Sequence, residues 1–257
     1  GYLFNTQDGL QGVPSAMYSY ILARNGLFIR AEGPLLSATV RIAPALVRGL
    51  APLDEEIRLI HGLVPSSLMD LALLGFRSIK STELYLAIVW EKTGPDGSGH
   101  YGLRRPFQEA TPASVRYLPV PSTVVDMHSH GDLPAFFSHT DDADEQGLKL
   151  YIVAGKVHQG PVELAMRVGV YGYFAPLTWP EVFDSTPPPG IVFKGEELVA
   201  AGPELLEALE EVTALDTAQL TERDWSIAKD RAYSLARAAI AKASPQAQGP
   251  GQEEKDR

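Results

Sequence analysis

The sequence contains no cysteine, and that absence removes disulfides, thiolate metal sites and a cysteine nucleophile together. Any hydrolytic chemistry in the chain must run on other groups. It also has no apolar run near the roughly 18 residues that a membrane-spanning helix needs, and the start "GYLFNTQDGL" lacks the basic and apolar blocks of a secretory signal. A cytoplasmic protein with no membrane partner is expected, with Gly1 standing where an initiator Met would and so leaving room for a segment upstream. Positive charge is scarce: 22 Lys and Arg against 32 Asp and Glu give a formal net charge of -10, whereas nucleic-acid binding through phosphate neutralisation needs a basic footprint. No nucleic-acid partner is expected. What is present suffices for folding: 257 residues, 45% of them hydrophobic, can bury the core of one large domain or two small ones.

Apolar runs on both sides of Asn25-Gly26 predict a small β meander over residues 17–42 with its tight turn at that pair. The segment "SSLMDLALLGFRSIKSTE" has helical spacing after Pro65, with Ser66 or Ser67 available as N-cap. A buried strand follows in "LYLAIVW", so Glu83 falls at a helix-to-strand junction. The Gly-rich loop 94–102 reads either as part of a flap or as an ordinary hairpin connection. "STVVDMHSH" reads as a strand ending in two histidines, and "KLYIVAGKV" and "VELAMRVGVYGYF" as a strand pair. Beyond "DSTPPPG" the stretch from Pro203 to Ala243 predicts one or two helices, and "SPQAQGPGQEEKDR" has no apolar periodicity and reads as disordered.

Chemistry concentrates in "HSHGDLPAFFSHTD", residues 128–141. Alternation along a strand puts His128 and His130 on one face, where two imidazoles can meet one cation. Zinc takes neutral imidazole nitrogen and carboxylate oxygen in a tetrahedral shell, and three protein ligands leave the fourth position for a water made more acidic. Asp141 is the natural third ligand. The same residues also spell a capping box, Ser138 with Asp141 three positions on, and "DDADE" an acidic first helical turn. The two readings can hold together. Asp126 shares the face of the histidines and is a candidate partner that orients an imidazole. His139, His100, His61 and His158 lie outside the pattern and read as solvated or loop residues, as do Asp142 and Asp144, with Asp142 a neighbour able to mimic the ligand.

The spacing His-x-His, seven residues, Ser-x-x-Asp resembles the motif of the JAMM (MPN+) metalloprotease family, and "AFFSHTD" is similar to its deubiquitinating members. That family also requires an upstream glutamate after an amphipathic helix, a layout that Glu83 matches better than Glu91, at the far end of the strand, or Glu109, expected in a loop. One departure is visible: Gly131 stands where the family usually has Pro after the second His.

The resemblance implies one Zn2+ held by His128, His130 and Asp141, Glu83 as general base and proton shuttle, and Ser138 as hydrogen-bond donor to the oxyanion. The fold class it implies is α/β: a JAMM/MPN-like (cytidine-deaminase-like) mixed β-sheet flanked by helices. Residues 1–59 would then be a small N-terminal β-rich extension, 60–195 the metalloprotease domain, 196–243 a C-terminal helical segment and 244–257 a disordered tail. The expected activity is a zinc isopeptidase or peptidase cutting after the C-terminal glycines of a ubiquitin-like protein. The arrangement is also similar to protein A of bacterial PRTRC systems, whose gene cassettes encode ubiquitin-like and E1-like (ThiF-related) proteins. Partners of both kinds are therefore implied. The alternatives are a RadC-like protein of the same motif class, which the acidic balance disfavours, and a non-catalytic MPN scaffold, which has no need of all five site residues.

Overall fold

Near-strict alternation in "SYILA" and the apolar content of "GLFIRAE" give strands with one buried face, as period-two patterning requires. In the computed structural model, which describes residues 1–80, 82–111 and 114–194, these strands belong to a six-stranded sheet. Its members are β1 (Tyr2–Thr6), β2 (Gly9–Val13), β3 (Ser19–Ala23), β4 (Gly26–Glu32), β5 (Leu36–Pro44) and β6 (Glu56–Leu59), in the order β2-β1-β3-β4-β5-β6. The meander expected over 17–42 is thus β3 to β5, with its first turn one residue early: Ala23 pairs with Gly26, leaving Arg24 and Asn25 in the turn. Asn25 has another task, since its amide exchanges two 2.9 Å hydrogen bonds with the backbone of Leu53.

Helix α1 (Ser66–Ser78) buries Met69, Ala72, Leu73 and Phe76, the i, i+3, i+4, i+7 stripe of an amphipathic helix. Neither Ser66 nor Ser67 is its N-cap. Pro65 takes that position without a side-chain cap, and Asp184 Oδ1 accepts the free Ser66 amide at 3.0 Å. The second sheet then follows as β7 (Tyr85–Lys92), β8 (Gly99–Arg104), β11 (Thr123–Ser129), β12 (Leu148–Gly155), β13 (Val162–Val170), β14 (Tyr173–Pro176) and β15 (Ile191–Lys194). Between them lie the hairpin β9 (Gln108–Thr111) and β10 (Ser114–Tyr117), helix α2 (His139–Asp144) and helix α3 (Trp179–Val182). The order is β14-β13-β12-β11-β7-β8 with β15 on β13, and the sheet is mixed, since β11 and β12 run parallel while β7 is antiparallel to β11. A parallel pair cannot be closed by a tight turn. The chain must cross over between Ser129 and Leu148, and this crossover carries α2.

The two faces of the second sheet are chemically different. One face, with Ile88, Met127, Ile152 and Val168, forms a single core with Phe76 of α1 and with Ile29, Ala38 and Val40 of the first sheet. Among the described residues the flanking helices expected from the resemblance are few, because a second sheet takes much of the place a helical layer would fill. The fold is mixed α/β dominated by sheets, and the segment 1–59 shares its core within one compact unit, Gly1–Lys194. The boundary expected near residue 59 falls at the end of β6, between the two sheets; the main core spans both sheets, and a second small cluster of Leu3, Ile21, Ala23 and Phe28 belongs to the first sheet alone. The helices expected between Pro203 and Ala243 and the tail 244–257 lie outside the described residues. No helix among the described residues is long and apolar enough to cross a membrane.

The opposite face carries Asp126 and His128 on β11, and the crossover packs down on it through Ala135 and Phe137 against Val153 and Ala165. Gly155 makes this approach possible, since a Cβ there would collide with the backbone of Pro134 and Ala135. Glu163 completes the seat by accepting the Ala135 amide at 3.1 Å. Gly155→Ala is expected to cost roughly 1–3 kcal/mol, the usual range for overpacking, read as a lower urea midpoint. A midpoint equal to the parent's would show that the crossover is not seated on Gly155.

Candidate metal centre

β11 presents His128, and the next residue on the same face, His130, lies just past the strand end. The His128 and His130 Nε2 atoms are 3.1 Å apart, and Asp141 Oδ1 approaches His128 Nε2 to 3.6 Å from α2. The three ligand atoms lie within 4.8 Å of one another, and this is the one such group found among the described residues. Metal–ligand bonds of roughly 2.0–2.1 Å at tetrahedral angles set ligand atoms about 3.3–3.4 Å apart. The two separations at His128, 3.1 and 3.6 Å, bracket that value.

Tautomer chemistry points the same way. His130 Nδ1 lies 3.1 Å from the Pro134 carbonyl, which can only accept, so Nδ1 carries the proton and Nε2 keeps its lone pair. Such a fixed outer hydrogen bond is what metal-binding imidazoles commonly have. Burial pushes both imidazoles below their ordinary pKa, against the pull of Asp141, so both are neutral at pH 7. Neutral imidazole is the ligand form.

Asp141 divides its two oxygens. Oδ2 accepts the Ser138 amide at 2.6 Å and the Ser138 hydroxyl at 2.7 Å, while the Asp141 amide donates back to Ser138 Oγ at 3.2 Å, a complete capping box. Oδ1 is left to face His128. The capping and metal readings of this stretch are thus two uses of one carboxylate, one per oxygen.

Glu83 reaches the site through strand register. His128 pairs with Tyr85, and the Ser129 amide bonds the Leu84 carbonyl at 3.0 Å, so continuing the register sets Glu83 opposite His130 on the same face. Its carboxyl is buried, and that burial, with Asp141 nearby, pushes its pKa up to about 7. A carboxyl near 7 can both take and give a proton at neutral pH. Gly131, the departure from the usual Pro, has φ of +58°, which a ring locked near -65° cannot adopt. Its carbonyl accepts the Val157 amide at 2.9 Å, fastening this turn to the sheet.

Several expected roles change. Asp126 orients no imidazole: its oxygens lie 3.3 Å from the Tyr117 hydroxyl and 3.3 Å from Lys149 Nζ. Sharing a face fixed its direction but not its reach. It instead anchors the β9–β10 hairpin, whose Tyr117 ring stacks on Tyr85 at 3.4 Å and whose Thr111 carbonyl accepts the Glu83 amide at 2.8 Å. Glu109 accordingly sits in β9, not in a loop. Glu91 pairs with Arg104 and His100 at the other end of β7, and residues 94–98 turn the β7–β8 hairpin there, away from the site. The flap reading of 94–102 fails. Asp142 bonds Arg167 at 2.6 Å and does not substitute for Asp141. His61 stacks on Trp90, His100 lies in β8, and His158 faces Asp132 at 3.1 Å.

Sequence reasoning passed over Arg167, Glu163 and the Pro134 carbonyl. The signal for Arg167 was a lone cation in the apolar run "VELAMRVGV", since a charge on a buried strand needs partners. A backbone carbonyl has no such signal.

Residues 106–168 match the family model described as prokaryotic homologs of the JAB domain, which covers His128, His130, Ser138 and Asp141 and leaves Glu83 upstream. Residues 194–249 match the model described as Salmonella phage P22 protein Y8K6. No curated protein matches the chain.

The raised Glu83 pKa gives a signed pH dependence in metal-free protein. As pH rises from 4.5 the unfolded carboxyl ionises, while the folded one keeps its proton until about 7. The unfolded state then binds fewer protons, and stability falls across that window. Relative to Glu83→Gln, the parent's urea midpoint is expected to drop between pH 4.5 and 7 and to level off above. A constant difference would remove the raised pKa.

Proposed function

We propose that this chain, which carries a JAB-type domain of the JAMM/MPN family over residues 106–168, is a zinc-dependent isopeptidase or peptidase that cuts after the C-terminal glycines of a ubiquitin-like protein. The observation that carries this reading is the convergence of three neutral or anionic donors: His128 Nε2 lies 3.1 Å from His130 Nε2 and 3.6 Å from Asp141 Oδ1, and one ligand atom from each of the three residues lies within 4.8 Å of the others. In that site Zn2+ would supply Lewis acidity, polarising the scissile carbonyl and making a water nucleophilic at neutral pH.

The remaining chemistry belongs to the chain. Glu83 takes the proton that the attacking water loses as its oxygen bonds to the carbonyl carbon. As the C–N bond breaks, Glu83 returns that proton to the leaving amine. Its position opposite His130 and its pKa near 7 suit both transfers. Ser138 donates to the oxygen that gains charge, for which its hydroxyl turns away from Asp141 Oδ2, while its amide continues to hold that oxygen. An extended Gly-Gly tail suits the approach because it can make main-chain bonds along a strand edge, and the β9–β10 hairpin borders Glu83. Ubiquitin-like conjugates and their E1-like system partners remain the expected company of such an enzyme.

The test is turnover of a ubiquitin-like protein extended beyond its Gly-Gly by a peptide. Glu83→Gln is expected to keep zinc and fold and to lose on the order of a hundredfold or more in kcat, the typical share of a general acid–base. Ser138→Ala should show a comparable loss, since one oxyanion donor is typically worth ~3 kcal/mol, with ~1 kcal/mol of stability lost through the cap. Glu91→Gln, bound at the far end of β7, should turn over as the parent does. Equal turnover in Glu83→Gln and parent would overturn the mechanism.

A further inference from the structure

α2 supplies Asp141, and Ser138 is its cap, yet α2 is six residues long and none of its residues is buried. A helix so short has no stability of its own, and without a buried face it has no apolar anchor. The capping box ties Ser138 to Asp141 but ties neither to the sheet. The crossover is seated up to Phe137 through Gly155 and Glu163. Beyond Phe137 something else must fix where Asp141 points.

Arg167 on β13 meets that need. Its Nη1 donates to Asp142 Oδ1 at 2.6 Å, and its Nε and Nη2 donate to Glu145 Oε2 at 2.9 and 2.5 Å. The guanidinium lies between two rings, 3.8 Å from the centre of Phe137 and 3.7 Å from that of Phe174. The three grips are placed around the site residues: Phe137 precedes Ser138, Asp142 follows Asp141, and Glu145 is the C-cap of α2. Apart from the approach of Asp141 to His128, Arg167 supplies the side-chain hydrogen bonds between α2 and the sheet among the described residues. We propose that Arg167 is a positioning residue: it holds α2 on the second sheet so that Ser138 and Asp141 face His128 and His130. It makes no hydrogen bond or ion pair with any of the four.

The arrangement explains why this side chain is an arginine. Bonding two carboxylates in different directions while filling the slot between two rings takes a planar fork, and an ammonium offers neither the plane nor the reach. The pairing also occupies Asp142 and Glu145, two carboxylates that would otherwise stand beside Asp141 as rival ligands.

What α2 is positioned for rests on the metal-centre reading; that Arg167 holds it does not, and the test separates the two. In the metal-free full chain, the Asp142 and Glu145 amides, which bond Ser138 and Asp141 carbonyls at 3.0 and 2.8 Å, are followed by hydrogen exchange. Arg167→Lys is expected to lose tenfold or more of their protection while β11 and β12 amides keep theirs; unchanged protection overturns the proposal. Cobalt titration is the second readout. Arg167→Lys should weaken cobalt binding tenfold or more and reduce the intensity of its visible absorption, whereas Arg104→Lys should match the parent in both. Parent-like cobalt affinity and spectrum in folded Arg167→Lys also overturn the proposal. A parent that takes up no cobalt would refute the metal-centre reading alone and leave the exchange result to decide on Arg167. Should Arg167→Lys not fold, Glu145→Gln carries the same exchange test, with loss at both amides expected and full retention contradicting the proposal.

Discussion

Two imidazole nitrogens and a carboxylate oxygen, all lone-pair bearing, are held within 4.8 Å of one another, and they come from two kinds of support. His128 and His130 ride on β11, whose backbone is fixed on both sides by β7 and β12. Asp141 comes from a six-residue helix in a crossover connection. A strand inside a sheet can hold a ligand within tenths of an ångström; a short exposed helix cannot do so unaided. Much of the second sheet's polar face exists to correct that difference.

The corrections run outward from the site in order. Pro134 fixes the tautomer of His130, Gly131 turns the chain with a φ that proline forbids, and Gly155 with Glu163 lets the crossover lie close to the sheet. Arg167 then takes hold where these leave off. On the other side, Asp126 and Tyr85 fasten the β9–β10 hairpin beside Glu83, whose carboxyl is kept from water. The opposite face is apolar and carries most of the core with α1 and the first sheet. One face is thus given to cohesion and the other to a charged constellation that would be costly in any less supported setting.

The strands and the grouping of His128, His130 and Asp141 were legible because their signals are local. Alternation in "STVVDMHS" told the face of His128, and the spacing from His128 to Asp141 pointed both to a group that could hold a metal and to the cap of α2. What was not legible depends on distance across the fold. Alternation told which way Asp126 points but not that Tyr117 and Lys149 would reach it first. The first sheet read as an extension because its strands show a buried face without showing what buries it, and the answer is β12 and β13. The β9–β10 hairpin escaped because "QEATPASVRY" carries too few apolar residues to display a period. The helices expected after Pro203 fall outside the described residues.

If His128, His130 and Asp141 form one zinc site, the metal should be present in the protein as isolated. The decisive measurement is metal analysis of the full chain, purified without chelator. About one equivalent of zinc per chain is expected, tightly held in the parent and lost in His128→Ala, a change whose removed side chain lies in the site and not in the apolar core. Protein that is folded yet metal-free, or zinc that stays in His128→Ala at parental stoichiometry, would contradict it.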